Sequence, residues 1–328
     1  MIQLKLYPLK FKTIFKDKIW GGQKIKTVLG KDFGNLPNCG ETWEISGVEG
    51  NISEVAEGHL EGMNLKELIQ KFEAALVGEK IYEKFGDEFP LLVKFIDAND
   101  DLSIQVHPND ELAKARHNGH GKTEMWYIFQ ADHGSQLITG FNRKMSREKF
   151  LDYFERGRIM DVLNYEKVFN DDVFYLPAGR VHTIGKGLLL AEIQQTSDTT
   201  YRIYDFDRVD DKGNKRELHV DESLDAIDYT YHEHYKTMYQ NKLNEPVKLV
   251  KSPYFITNKL ECTKDIERDY HYLDSFIIYV CMSGELNIAY DGGSIEVKMG
   301  DCVLLPAELK KVTLETTSGF KMLESYIS

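Results

Sequence analysis

The most constraining stretch of the sequence is a short predicted strand that ends in a histidine, Ser-Ile-Gln-Val-His-Pro at residues 103–108. Side chains alternate along a strand, so Gln105 and His107 share one face while the intervening aliphatic residues share the other. Pro108 cannot donate a hydrogen bond to a sheet, so the strand is expected to stop directly after the histidine. This pattern places an amide and an imidazole side by side at a sheet end or a barrel mouth.

Two later segments carry polar groups that suit the same site. Residues 124–129, Glu-Met-Trp-Tyr-Ile-Phe, open an otherwise core-like strand with a carboxylate, and residues 172–182 are a short apolar strand, a Pro-Ala-Gly turn and a histidine. Imidazole nitrogens and carboxylate or amide oxygens suit a divalent ion of the zinc type, which they bind at about 2.0 to 2.2 Å. We therefore predict one metal ion per chain. The predicted ligands are Gln105, His107, Glu124 and His182.

Four motifs, in this order along the chain, resemble the type I mannose-6-phosphate isomerases, which are zinc-dependent cupin enzymes. The motifs are Ser-Ile-Gln-Val-His-Pro at 103–108, Lys-Thr-Glu-Met-Trp-Tyr at 122–127, Pro-Ala-Gly-Arg-Val-His at 177–182 and Thr-Ser-Asp-Thr-Thr-Tyr-Arg at 196–202. The likeness is to the short bacterial form and runs from about Trp20 to the C-terminus. It implies a Zn2+-dependent interconversion of mannose 6-phosphate and fructose 6-phosphate through a cis-enediol intermediate.

A sugar phosphate is anionic and needs cations near the metal. Lys122 is two residues from Glu124 and shares its strand face if the strand extends that far. Arg202 offers a planar donor fork for oxyanions, and the matching arginine of the family is an active-site residue, so it could stabilise the enediolate instead of the phosphate. A lysine whose pKa is lowered by burial is an alternative base.

The predicted roles divide into two groups. Arg202, Lys122 and Asp198 are predicted to be catalytic. Lys94, Ser103, Trp20 and Glu192 are predicted to contact the substrate; Lys94 and Trp20 are placed there by the resemblance. For Trp20 the alternative is a packed tryptophan at a turn, and for Lys94 a side chain that extends from a sheet edge to solvent.

Residues 188–206 return to strand character, with polar side chains at even positions from Glu192 to Arg202. Such a face predicts a lined pocket, although a solvent-exposed face is the alternative. Residues 113–123, with two histidines and two glycines, are expected to form a loop over the mouth. Residues 64–78 predict a helix with a capping-box pair at its start and a glycine at its end.

The overall pattern predicts a mainly β protein of two cupin-like β-barrels (jelly rolls) with a small helical insertion at about 145–171. Residues 1–235 would form the catalytic metal-binding domain, and residues 236–328 a degenerate, metal-free cupin-like domain. An internal repeat supports the second barrel: Asp-Val-Phe-Tyr-Leu-Pro-Ala at 172–178 aligns with Asp-Cys-Val-Leu-Leu-Pro-Ala at 301–307. In this alignment Lys311 takes the position of His182, and a protonated lysine cannot replace an imidazole ligand.

Charge and composition limit the partners. The chain has 41 Lys and Arg against 53 Asp and Glu, a formal net charge of −12, which opposes binding to nucleic acid or to anionic membranes. We expect a cytoplasmic protein, either a monomer or a homodimer, that acts on a small sugar phosphate. Open alternatives are a non-catalytic sugar-binding cupin, a different phosphosugar isomerase and a metal-dependent cupin oxidase.

Overall fold

The computed structural model describes residues 5–209 and 213–328. The strands are β1 (Ile14–Lys16), β2 (Glu41–Ile45), β3 (Leu91–Ala98), β4 (Ile104–Val106), β5 (Glu124–Ala131), β6 (Gln136–Phe141), β7 (Leu163–Lys167), β8 (Val173–Leu176), β9 (His182–Ile184), β10 (Leu188–Gln195), β11 (Tyr201–Tyr204), β12 (Pro246–Lys251), β13 (Ile256–Cys262), β14 (Ile266–Asp269), β15 (Ile277–Tyr290), β16 (Gly293–Lys298), β17 (Cys302–Leu305), β18 (Lys311–Glu315) and β19 (Phe320–Tyr326). The helices are α1 (Lys24–Thr27), α2 (Leu65–Phe72), α3 (Ala74–Val77), α4 (Glu79–Phe85), α5 (Asp110–His117), α6 (Arg147–Glu155) and α7 (Val220–Ala226), with a 3-10 helix at Ile159–Val162.

The first eleven strands form two antiparallel sheets of a jelly-roll barrel. One sheet has the order β1-β2-β3-β10-β5-β8 and the other β11-β4-β9-β6-β7, so strands adjacent in sequence are mostly not adjacent in space. Apolar side chains close one level of the interior, where Leu190 pairs with Ile96 on one side and Ile128 on the other. The polar residues discussed below lie further along the same strands.

The last eight strands form a second barrel, in which the long strand β15 takes part in two sets of pairings. Its first half pairs with β17 and β19, and its second half with β16 and β18. The strand bends between these halves, where the register shifts between Cys281 and Ser283 and Gly284 adopts a left-handed φ of 78°. This bend lets one strand serve both sides of the barrel.

The two barrels share an apolar core. Leu91 and Val93 of β3 belong to the same buried cluster as Ile278 and Leu323 of the second barrel. The N-terminal segment also contacts the second barrel, because the backbone groups of Leu9 and Leu304 exchange hydrogen bonds of 2.8 and 2.9 Å. Among the described residues, none of the helices combines the length and the apolar character that crossing a membrane requires.

The predicted fold class is confirmed, and the internal repeat is visible as structure. The strand, Pro-Ala turn and strand of β8 and β9 recur in β17 and β18, with His182 and Lys311 as the first residues of β9 and β18. The insertion contains helix α6 and the 3-10 helix. The helix predicted at 64–78 begins at the capping box of Asn64 but breaks at Glu73, whose φ is 46°.

Two local expectations are wrong. Residues 113–117 form the end of helix α5, because Asn109 accepts a hydrogen bond from the backbone of Leu112 and caps a helix instead of only making a turn. The polar face from Glu192 to Arg202 is not one strand. β10 ends at Gln195 and β11 begins at Tyr201, and the two lie in opposite sheets.

Substitution of Gly284 tests the bend in β15. A Cβ atom there would lie 2.2 Å from the carbonyl oxygen of Gly319, whereas one at Gly134, which has a similar φ of 83°, would meet nothing within 4 Å. Both alanine variants incur the left-handed cost of roughly 1–2 kcal/mol. Gly284→Ala should lose about 1–3 kcal/mol more in the free energy of unfolding because of the steric clash. Equal losses in urea denaturation would contradict the close approach.

Candidate metal centre

The interior of the first barrel carries a row of paired polar and aromatic side chains. Antiparallel register sets Lys94 of β3 opposite Glu192 of β10, and Glu192 opposite Trp126 of β5. Glu124 lies two residues before Trp126, so it faces the same side one step further along. Three strands thus direct two carboxylates and an ammonium group into one space.

The opposite sheet supplies the imidazoles. Gln105 of β4 pairs directly with His182 of β9, and Arg202 of β11 pairs with Gln105 on its other side. His107 follows directly after β4 and is buried, with its backbone carbonyl accepting a hydrogen bond of 2.9 Å from the amide of Gly179. The predicted alternation in residues 103–107 is therefore realised as a set of side chains that face the barrel interior.

The ligand atoms of His107, Glu124 and His182 all lie within 4.8 Å of one another. Nε2 of His107 lies 3.6 Å from one carboxylate oxygen of Glu124, and Nε2 of His182 lies 3.3 Å from the other. Ligands about 2.1 Å from a tetrahedral metal are separated by about 3.4 Å, and each of these two contacts, to a different oxygen of Glu124, is close to that separation.

Both imidazoles present a lone pair to this space. Nδ1 of His107 lies 3.0 Å from the carbonyl oxygen of Thr199, and Nδ1 of His182 lies 2.8 Å from that of Arg180. A carbonyl oxygen only accepts, so each Nδ1 carries the proton and each Nε2 is unprotonated when the ring is neutral. Within the described structure, Nε2 of His107 and both carboxylate oxygens of Glu124 are buried without a hydrogen-bond partner. Such orphaned acceptors fit a bound cation.

Gln105 reaches the same cluster, but with its amide nitrogen, which lies 3.2 Å from Nε2 of His182. In this orientation the amide donates to the imidazole lone pair. Half a turn of the amide would present its oxygen at the same place. Gln105 thus remains a predicted ligand, and its amide lies within hydrogen-bond distance of His182.

Burial sets the charge state of the three ligands. It lowers the pKa of His182 to about 4, and together with the nearby charge of Lys122 it lowers that of His107 well below the usual value. Both rings are therefore neutral at pH 7, the form that binds metals. Burial, with repulsion from Glu192, raises the pKa of Glu124 to about 7 although Lys122 and Lys94 oppose the shift.

The two predicted lysines lie among the carboxylates. Nζ of Lys122 is 3.3 Å from Glu124, and Nζ of Lys94 is 3.2 Å from Glu192. Burial alone would lower the pKa of Lys94, but Glu192, Glu41 and Glu124 outweigh it and raise this pKa. Lys94 is therefore held as a cation here, which suits contact with an anion and disfavours it as a base.

Glu41 is a member of this cluster that the motifs missed. It accepts a hydrogen bond of 2.8 Å from the indole of Trp43, whose ring lies 5.2 Å below Nζ of Lys94. Burial would raise its pKa, but Lys94 and Lys18 lower it to about 2. A sequence signal for it is the alternation in Glu-Thr-Trp at 41–43, which sets Glu41 and Trp43 on one strand face.

The remaining predicted residues lie at different depths. Ser103 is buried directly before β4, and Trp20 is buried in the apolar cluster that contains Trp126. Trp20 is thus a packed tryptophan beneath the site. Arg202 is half-buried and donates a hydrogen bond of 2.8 Å to the carbonyl oxygen of Glu217, while its Nε lacks a partner among the described residues.

Asp198 lies on the crossover between β10 and β11 and is exposed. It lines a cavity at the barrel surface together with His117 and His120. Those two histidines bond elsewhere, His117 to the hydroxyl of Tyr201 at 2.8 Å and His120 to Glu88 at 3.0 Å. They do not belong to the cluster of His107, Glu124 and His182.

Comparison with known proteins places this site in a family. A model of the catalytic domain of type I phosphomannose isomerase matches residues 8–140, and a model of the mannose-6-phosphate isomerase cupin domain matches residues 245–326. Mannose-6-phosphate isomerase ManA of Bacillus subtilis is 37% identical over 314 residues, which cover 94% of this chain and 96% of that protein. The chain belongs to the type I phosphomannose isomerases.

Further relatives agree with this assignment. The mannose-6-phosphate isomerase of Streptococcus mutans is 34% identical, over 92% of this chain and 93% of that protein. The crystal structure of the mannose 6-phosphate isomerase from Bacillus subtilis superposes with a TM-score of 0.87 at 30% identity, covering 98% of this chain and 99% of that one. The predicted family is thereby confirmed, and the chain shares the fold of this solved structure over nearly its whole length.

The raised pKa of Glu124 predicts a pH-dependent effect of Glu124→Gln in the metal-free protein. Between its usual value of 4.5 and about 7, the folded state keeps a proton that the unfolded state releases. Raising the pH through this window therefore lowers the free energy of unfolding. Glutamine does not titrate, so the stability of the variant relative to the parent should improve from pH 5 to pH 8, on the order of 1–3 kcal/mol.

Chemical denaturation with a chelator present, at both pH values, measures this difference. The two histidines titrate in both proteins and largely cancel from it. A difference that does not change with pH would show that Glu124 is ionised normally in the folded state.

Proposed function

We propose that this phosphomannose isomerase interconverts mannose 6-phosphate and fructose 6-phosphate with one Zn2+ per chain. The observation that carries the proposal is the trio of His107, Glu124 and His182, whose candidate ligand atoms lie within 4.8 Å of one another. Among the described residues, Nε2 of His107 and both carboxylate oxygens of Glu124 are buried without a hydrogen-bond partner. Gln105 would complete the ligand set. A bound zinc ion would act as a Lewis acid that stabilises negative charge on substrate oxygens.

The proposed reaction moves a proton between C1 and C2 of the open-chain sugar through a cis-enediol. Lys122 would lie beside the reacting carbons, because its ammonium group contacts Glu124. Arg202 faces the same interior from the opposite sheet and could stabilise the enediolate or bind the phosphate. Asp198, at the barrel surface, is the proposed third catalytic group.

Substrate binding is proposed for Lys94 and Glu192, which lie one level deeper in the barrel than Glu124, and for their neighbours. Lys94 and Glu192 form a buried ion pair, and the indole of Trp126 donates a hydrogen bond of 2.9 Å to Glu192. This support keeps Glu192 in place, and its pKa is lowered by Lys94 and Lys122 in spite of burial. Ser103 and Trp20 are the other proposed contacts, Trp20 by shaping the barrel interior rather than by exposure.

We also propose the domain division at residue 235, with a metal-free second barrel. Its interior is closed by an ion pair in place of a metal, because Arg268 donates to both carboxylate oxygens of Glu324 at 3.0 and 3.1 Å. Lys311, the repeat counterpart of His182, is exposed and lies 3.7 Å from Asp269. These features favour a role in packing for this barrel.

A coupled assay tests the function. Conversion of mannose 6-phosphate to fructose 6-phosphate should disappear after chelation and return when zinc is added. Exchange of the C2 hydrogen of the substrate with solvent separates isomerisation from mere sugar binding. Binding without exchange would indicate a non-catalytic cupin, and turnover of another phosphosugar alone would indicate a different isomerase.

A matched pair of variants tests the two barrels. His182→Ala should weaken zinc binding by more than about 100-fold, because even groups that only support a ligand contribute 10- to 100-fold. Lys311→Ala removes the repeat counterpart and should leave both zinc content and turnover unchanged. Metal analysis after gel filtration and the coupled assay measure both. Loss of zinc in Lys311→Ala, or full zinc in His182→Ala, would contradict the proposed location.

A further inference from the structure

Gln194 has no assigned part in the metal centre, yet it is fully buried at the same level as Glu124. Its Cα atom pairs with that of Glu124 across β10 and β5, so its side chain faces the barrel interior. An amide in such a place is costly unless its polar atoms are satisfied. The hydrogen bonds of this one side chain therefore indicate its role.

The amide of Gln194 is fixed by two backbone carbonyl groups. Nε2 donates to the carbonyl oxygen of Gln195 at 2.8 Å and to that of Ser197 at 2.6 Å. Both amide hydrogens are thereby used, and Oε1 lacks a partner among the described residues. Rotation of the amide would direct Oε1 at two carbonyl oxygens, so only one orientation is favourable.

These bonds brace the crossover at residues 196–200, which carries the chain from one sheet to the other. Within the crossover the amide of Thr199 donates to Oγ of Ser197 at 3.3 Å. The carbonyl oxygen of Thr199 then accepts the Nδ1 proton of His107 at 3.0 Å. A continuous series of hydrogen bonds thus leads from Gln194 through Ser197 and Thr199 to a proposed metal ligand.

His182 has a shorter support. Its Nδ1 proton is accepted by the carbonyl oxygen of Arg180, two residues away on the same short segment. The orientation of His107 depends on a crossover that is irregular and 92 residues distant in sequence. Of the two imidazoles, His107 is therefore the one that needs an external brace.

We propose that Gln194 is a positioning residue of the metal centre, which holds the crossover so that Thr199 fixes the tautomer and orientation of His107. The inference rests on the proposed metal site but not on the proposed reaction. Groups that orient a ligating histidine typically contribute 10- to 100-fold to metal affinity. Gln194 acts on His107 indirectly, through the backbone, so its effect on metal affinity should lie within that range.

The test uses Gln194→Leu, which keeps the approximate size of the side chain and removes the amide. In metal-free protein labelled with nitrogen-15 in histidine, NMR follows solvent exchange of the two Nδ1 protons. The His107 proton should exchange roughly tenfold faster in the variant, because its acceptor becomes mobile. The His182 proton should be unchanged and serves as an internal control. Zinc affinity by competition with a chelator should fall by about 10- to 100-fold.

Two further variants keep the proposal falsifiable. Ser197→Ala removes a different link of the same series and should shift His107 exchange and zinc affinity in the same direction, by a smaller factor. Asn258→Leu removes a buried amide of the second barrel, which donates to Glu324 at 2.9 Å. It should lower stability and leave both readouts unchanged.

Unchanged His107 exchange and zinc affinity in both Gln194→Leu and Ser197→Ala would overturn the proposal. Equal acceleration of the His107 and His182 protons would also overturn it, because general loosening of the barrel would then be the cause. A parent protein that binds zinc without isomerising mannose 6-phosphate would refute the proposed function and leave this inference standing.

Discussion

The structure of the first barrel depends on the balance of charges in its interior. Glu41, Glu124 and Glu192 face the ammonium groups of Lys94 and Lys122, in a space where each charge is costly without a partner. Nζ of Lys18 lies 3.5 Å from Glu41, so three carboxylates face three ammonium groups. A divalent cation would add positive charge to this balanced set and leave the positive potential that an anionic sugar phosphate requires. At Glu124, burial and repulsion from Glu192 outweigh the two nearby lysines and raise the pKa.

The two barrels share a strand arrangement but carry different interior groups. Each contains a strand, a Pro-Ala turn and a strand at equivalent positions. In the first barrel, the strand after the turn begins with a buried imidazole, His182, whereas in the second it begins with an exposed lysine, Lys311. In the second barrel, the interior carboxylate of Glu324 is neutralised by Arg268. A buried carboxylate needs a cation in either case, and the side chain that supplies it decides whether the barrel has an open coordination site.

Much of the site could be predicted from local patterns. Strand alternation placed Gln105 beside His107, and the pattern of strand, Pro-Ala-Gly turn and histidine in residues 172–182 placed His182 at the start of the next strand. The crossover at 196–200 could not be predicted in this way, because polar residues at even positions look the same whether the strand continues or changes sheets. Helix α5 was missed because Asn109 and Asp110 are typical of both turns and helix starts. Glu41 was missed because Lys94 and Lys18 approach it from other segments of the chain, which a single sequence does not reveal. Gln194 was missed because its bonds to the carbonyl groups of Gln195 and Ser197 depend on where β10 ends.

In the proposed metal centre, His107, Glu124 and His182 bind one zinc ion with nitrogen and oxygen ligands only. X-ray absorption at the zinc K edge of the purified, zinc-loaded protein tests it most directly. We expect one zinc per chain, a first shell of nitrogen and oxygen at about 2.0 to 2.2 Å, and the scattering pattern of two imidazoles. Sulfur in the first shell, fewer than two imidazoles, or no bound zinc would contradict zinc binding by these three residues.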